Sequence, residues 1–114
     1  MCNFEKQEKT QTERALGLMG LAVRAGKVVF GTPMVCDAMR EGKKLHLVVE
    51  ACDTSDNTHK RITDRSAYYG IKHMRVNVKT GELAHALGKS GDLATVAITD
   101  EGMAKAIVKL LDNQ

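Results

Sequence analysis

Residues 45–51, Leu45-His46-Leu47-Val48-Val49-Glu50-Ala51, form a nearly continuous apolar run. That pattern suits a central strand covered on both faces, because a strand with one wet face alternates instead. Residues 93–98, Leu93-Ala94-Thr95-Val96-Ala97-Ile98, read the same way. Upstream of the first run, Lys27-Val28-Val29-Phe30 is a short β-branched strand. Between them, Gly31-Thr32-Pro33 opens a helix with Thr32 as cap and Pro33 at the first helical position, where its missing N–H costs nothing. Val35, Ala38 and Met39 form the inner stripe of this helix, and Gly42 ends it.

Further out, Thr10-Gln11-Thr12-Glu13 reads as a capping box opening the first helix. Ala15, Leu18, Met19 and Ala22 lie on one face of it, widened by Leu16 and Val23. Gly17 and Gly20 leave room for a neighbour, and Gly26 stops the helix. Residues 1–9 are polar and expected to be a frayed, flexible segment, leaving one domain over 10–114. Downstream of the central strand, Asp53-Thr54-Ser55-Asp56 caps a helix that runs to about Tyr69 and closes at Gly70. Residues 71–78 alternate more and carry Lys72, His73 and Arg75, as an outer strand does. Thr80 caps a short helix through Leu87, residues 88–92 are a loop, and Thr99 caps a last helix with Met103, Ile107 and Leu110 facing inward. Helices and strands alternate throughout, so the class is α/β, and a mostly parallel sheet between helix layers is expected. Ligands of such sheets sit at strand ends and helix N-termini, here the Gly31-Thr32-Pro33 turn and the 88–92 loop.

The 114 residues are 43% hydrophobic and 27% charged, with a single proline. A chain this long buries about 65% of its unfolded surface, enough for one core. There is no membrane-length apolar run and no secretory leader, so a cytoplasmic protein is expected. The net charge of +3 permits an anionic partner without demanding one. Cys2, Cys36 and Cys52 make an odd count with no C-x-x-C pair, which argues against a disulfide scaffold or structural zinc; Cys36 and Cys52 read as small buried hydrophobes.

No pattern points to catalysis. Gly88-Lys89-Ser90 looks like the end of a P-loop, but the required upstream glycine is Leu83 and the segment follows a helix. A receiver domain needs an acidic pair after the first strand, and none is there. His46, His59, His73 and His85 make no H-x-x-x-H pair, the shortest spacing being 12 residues, and His46 reads as a core histidine. Cations gather in two sets. One is Arg24, Lys27, Arg40, Lys43 and Lys44; the other is His59, Lys60, Arg61, Arg65, Lys72 and Arg75. With only two Phe and two Tyr, base-stacking on single strands is improbable, so any nucleic acid bound is a structured one, held through phosphates and a few base edges.

The segment from Leu16 to Gly31, together with Ala84-His85-Ala86-Leu87-Gly88-Lys89 and Val96-Ala97-Ile98-Thr99-Asp100, resembles the ribosomal L7Ae/L30e-type family of kink-turn RNA-binding proteins, most closely its short bacterial branch. The resemblance spans residues 10–112. It implies a three-layer α/β/α sandwich with a four-stranded mixed sheet, and a ribosome-associated or regulatory RNA-binding function. The partner implied is structured RNA, either rRNA or another kink-turn RNA. A monomer without cofactor, metal or membrane association, and not an enzyme, is expected. The implied RNA-binding residues are Lys27, Gly31, Thr32, Pro33, Met34, Gly88, Lys89 and Ser90, with Arg40 and Lys43 as backbone contacts. In the family's turn motif Gly31 and Thr32 match, whereas Pro33, Met34 and Asp37 stand where Asn, Glu and Lys are usual. Two other readings of the same fold are a protein-interaction module that has given up RNA, and a small nucleotide-using enzyme built on the Gly88-Lys89-Ser90 loop.

Overall fold

The computed structural model describes residues 9–112. Among them the element order is α1 (Lys9–Arg24), β1 (Val28–Phe30), α2 (Thr32–Arg40), β2 (Leu47–Glu50), α3 (Asp56–Tyr69), β3 (His73–Arg75), α4 (Thr80–Ala86), β4 (Thr95–Ile98) and α5 (Glu101–Asp112). The expected frayed segment 1–9 lies outside the described residues except for Lys9, which is already helical. None of the described helices is long and apolar enough to cross a membrane.

The four strands form one sheet in the order β1-β4-β2-β3. β4 runs antiparallel to both β1 and β2, and only β2 and β3 are parallel. The expectation of a mostly parallel sheet is therefore corrected, and the mixed sheet implied by the family resemblance is what the chain forms. The reason lies in the last connection. α3 carries the chain back across the sheet, so β3 starts level with β2 and runs beside it. α4 has only 7 residues, and the loop after it turns the chain around at the end where β2 finishes. β4 then runs back between β1 and β2, as antiparallel neighbours joined at one end must.

Alternation along the two central strands builds the layers. Leu47, Val49, Val96 and Ile98 pack with Met19, Leu83 and Ile107 from α1, α4 and α5. Val48 and Ala97 point the other way and pack with Val35, Met39 and Ile62 from α2 and α3. Both strands are buried along their whole length. The result is a three-layer α/β/α sandwich.

The inner stripes are close to those expected. Ala15, Met19 and Ala22 are fully buried, as are Val35 and Met39 to within 2%. Leu16, Leu18 and Val23 only flank the core. In α5 the buried stripe is Ala104, Ile107 and Leu111, one position on from Met103 and Leu110, which are half-buried. Gly20 lies against α4, with the Ala86 carbonyl 3.8 Å from where a Cβ would stand, whereas Gly17 has open space. His46 is half-buried, not in the core.

Helix starts depart from the sequence reading by a residue or more. Thr10 lies inside α1, not at its cap. The cap of α2 is Gly31, so Thr32 is the first helical residue and Pro33 the second. Ser55 caps α3, accepting from the Thr58 N–H at 3.2 Å. Asp53, expected to cap that helix, instead reaches α4 and accepts from the Thr80 N–H at 2.7 Å. Asp100, not Thr99, caps α5, accepting from the Met103 N–H at 2.8 Å. Short polar side chains in a cluster compete for the same role, and only the approach angle of the chain decides which one meets an orphan donor. Cys36 is a buried free thiol as expected. Cys52 is half-buried and disulfide-bonded, against the expectation for it.

Candidate functional site

The strand register gathers three loops at one end of the sheet. Phe30 at the end of β1 pairs with Val96 near the start of β4, and Glu50 at the end of β2 pairs with Thr95. The β1–α2 corner, the β2–α3 loop and the 87–94 loop therefore lie side by side. This is the strand-end position where open α/β sheets bind ligands.

The β1–α2 corner turns on Gly31, whose φ of 88° and ψ of 146° are open only to glycine at low cost. Two bonds tie the corner to the sheet. The Gly31 N–H donates to the Thr95 carbonyl at 2.8 Å, and the Thr32 hydroxyl donates to Thr95 Oγ1 at 3.0 Å. Val35 N–H closes the first turn on the Gly31 carbonyl. Pro33 has no N–H, so Thr32 and Met34 carry the only first-turn donors without an intrahelical acceptor. The first turn holds no acidic side chain. Pro33 is exposed and Met34 is 58% exposed, so the corner is open to a partner. Beside it, Gly88, Lys89 and Ser90 are exposed, and the Lys89 ammonium lies 4.2 Å from the centre of the Phe30 ring. That contact holds a cation next to the corner at little entropic cost.

Of the ten residues singled out in the sequence, Gly31, Thr32, Pro33, Met34, Gly88, Lys89 and Ser90 thus meet at this end. Lys27, Arg40 and Lys43 do not. Lys27 sits before β1, where its carbonyl accepts from Thr99 N–H at the opposite end of the sheet. Arg40 and Lys43 lie at and beyond the far end of α2, roughly 12 Å of helix away from Thr32. Arg40 also pairs with Asp37 and Lys43 with Glu41. Adjacency in sequence misleads here, because one strand or one helix is enough to separate neighbours by the depth of the domain.

A second group at this end escaped the sequence reading. Glu50 is fully buried. One oxygen, Oε1, faces His59 Nδ1 at 2.9 Å and His73 Nε2 at 2.7 Å. The other, Oε2, accepts from the Thr54 hydroxyl, lies 3.0 Å from the same His59 Nδ1 and 3.5 Å from Arg75 Nε. Arg75 also donates to the Cys52 carbonyl and to Thr54, both at 3.2 Å. Burial by itself pushes the Glu50 carboxyl up. The bonds from His73, Thr54 and His59, with the charge of His59, outweigh it and hold the group at about 2, below its ordinary 4.5. Sequence spacing did not bring His59 and His73 together; they meet because β3 pairs with β2 in a register that sets His73 beside Val48, while α3 returns His59 to the same carboxylate. The signal was present in the sequence: a lone glutamate ending an apolar central strand must be paired if it is buried. The second set of cations is also largely engaged. His59 and Arg75 turn to Glu50, Lys60 pairs with Asp64 at 2.7 Å, and Lys72 pairs with Asp112 at 3.7 Å.

Residues 13–108 match the model of the ribosomal protein L7Ae/L30e/S12e/Gadd45 family. The chain belongs to this family. Two curated proteins are similar to it over most of their length. The RNA-binding protein YlxQ of Bacillus subtilis (strain 168) is 40% identical over 96 residues, covering 83% of this chain and 92% of that protein. The RNA-binding protein YlxQ of Enterococcus faecium is 32% identical over 100 residues, covering 88% and 93%. Among solved structures, a protein of unknown function from Bacillus halodurans C aligns with a TM-score of 0.80 at 28% identity, over 88% of this chain and 98% of that one. The Giardia lamblia 15.5kD RNA binding protein shares the fold, with a TM-score of 0.74 at 14% identity over 94% and 89%.

Proposed function

We propose that this chain is an RNA-binding protein whose binding surface is the sheet end formed by the Gly31–Met34 corner and the 87–94 loop. The observation that carries the reading is the open first turn of α2, with free donors, no acidic side chain and Lys89 alongside, in a chain whose relatives carry the name RNA-binding protein. A helix N-terminus with unsatisfied N–H groups and a positive dipole end suits a phosphate. Met34, more than half exposed, offers an apolar face to a sheared or flipped base. The ligand is a structured RNA of kink-turn type, in the ribosome or in a regulatory RNA. With Pro33 and Met34 in place of amide and carboxylate, it is read more by shape and backbone than by base edges.

A gel shift with kink-turn RNA and a straight duplex, at two salt concentrations, tests this. The kink-turn RNA should bind more tightly. Lys27, Arg40 and Lys43 stand away from the corner, which leaves Lys89 as the predicted cation beside it. The slope of log affinity against log salt should then be shallow, about −1. Replacing Pro33, Met34 and Asp37 together by Asn, Glu and Lys should tighten kink-turn binding, each restored base contact adding ~1–3 kcal/mol of discrimination. Equal, weak binding to both RNAs would instead favour a protein-interaction module on the same fold.

A further inference from the structure

We propose that Glu50, His59 and His73 form a binding site for a divalent transition metal of the zinc class. Each of the three offers a donor atom, and the donors lie within 4.8 Å of one another. The two imidazole nitrogens both face Oε1 of Glu50, at 2.9 and 2.7 Å, from α3 on one side and β3 on the other. Tetrahedral zinc with bonds of about 2.0–2.1 Å sets its ligand atoms roughly 3.3 Å apart. To admit the ion each imidazole nitrogen withdraws from Oε1 by about half an ångström, and the two nitrogens, within 4.8 Å of each other, close toward the same spacing.

Oε1 is the oxygen on which both imidazoles converge. Oε2 is held by the Thr54 hydroxyl, approached by Arg75 at 3.5 Å and shared by His59 Nδ1 at 3.0 Å. Hydrogen bonds to the non-ligating atom of a carboxylate orient it for the ion. The Arg75 charge opposes a cation, but its Nε approaches Oε2, the oxygen that the Thr54 hydroxyl holds. Nitrogen and oxygen donors from two histidines and one carboxylate suit zinc, as in catalytic sites that keep a fourth position open. Glu50 is fully buried and the His73 side chain 15% exposed, whereas that of His59 is 40% exposed, so the fourth position opens on the His59 side. The ion would tie α3 and the edge strand β3 to the central strand β2, at the sheet end that carries the corner. The proposal does not depend on RNA binding.

Isothermal titration of the full, chelator-treated chain with zinc chloride tests it, with cobalt(II) as a spectroscopic substitute. One equivalent should bind, and His59→Ala and His73→Ala should each weaken binding by about tenfold or more. His85→Ala, on an exposed position of α4, should leave it unchanged. In the unaltered protein the ring signals of His59 and His73, and not that of His85, should move on addition of zinc; this readout stands even where His73→Ala fails to fold. Absence of saturable binding, an unaltered affinity in His59→Ala, or ring shifts confined to other histidines would overturn the site.

Discussion

The corner at Gly31 and the cluster at Glu50 lie on either side of the same residue, Thr95, and differ in almost every physical respect. The corner is open, uncharged in its first turn, and set by one glycine whose backbone no other residue adopts comfortably. The cluster is centred on a buried, ionised carboxylate and set by residues from three elements that are far apart in sequence. One is a surface held in shape by local backbone geometry. The other is a charge held in the interior by its partners. The comparison teaches that sheet ends can offer a partner an accessible surface while a buried ion group, out of its reach, fixes the strands that support it.

Acid distinguishes the two most strongly. A carboxyl held near 2 in the folded state, against 4.5 ordinarily, stabilises the fold fully above about pH 4.5. That stability falls away as pH drops toward 2, because the unfolded chain takes up the proton first. The loss should be on the order of 3 kcal/mol, read as a falling urea midpoint, and Glu50→Gln should abolish the acid-dependent part. Backbone strain comes next. Gly31→Val should destabilise the protein by about 1–3 kcal/mol in urea titration, since valine at φ 88° is strained, and should abolish any binding at the corner. Thr95→Val removes the acceptor of the Thr32 hydroxyl, leaving the corner's remaining tie at Gly31. A loss of about 1 kcal/mol is expected, with looser amide-exchange protection in the first turn of α2 and little change at His59. The smallest effect should come from Arg40→Ala with Lys43→Ala. These exposed pairs should contribute less than about 0.5 kcal/mol, and RNA affinity should change less than it does in Lys89→Ala. A larger loss of RNA affinity from the double variant would move the interface to the far end of α2.

Much of this molecule could be read from local sequence. Unbroken apolar runs at 45–51 and 93–98 announced strands covered on both faces, and β2 and β4 are buried throughout. Glycine before proline announced the β1–α2 corner, because φ and a missing N–H are properties of single residues. Strand direction was not legible, since the alternation of helices and strands is the same whether β4 runs with or against its neighbours. Nor was the place of Lys27, Arg40 and Lys43, which a strand and a helix carry away from the residue they adjoin in the chain.

Residue by residue, then, the chain itself determined which segments are strands or helices, where the backbone must turn on glycine, and which side chains seek the interior, because these follow from conformational freedom and transfer from water. Only the folded arrangement decided which donors meet which acceptors. A carboxylate at position 50, imidazoles at 59 and 73 and a guanidinium at 75 become one group only once β3 pairs with β2 and α3 folds over both. Electrostatic interactions depend on distance through space, and distance through space is what a sequence leaves unspecified.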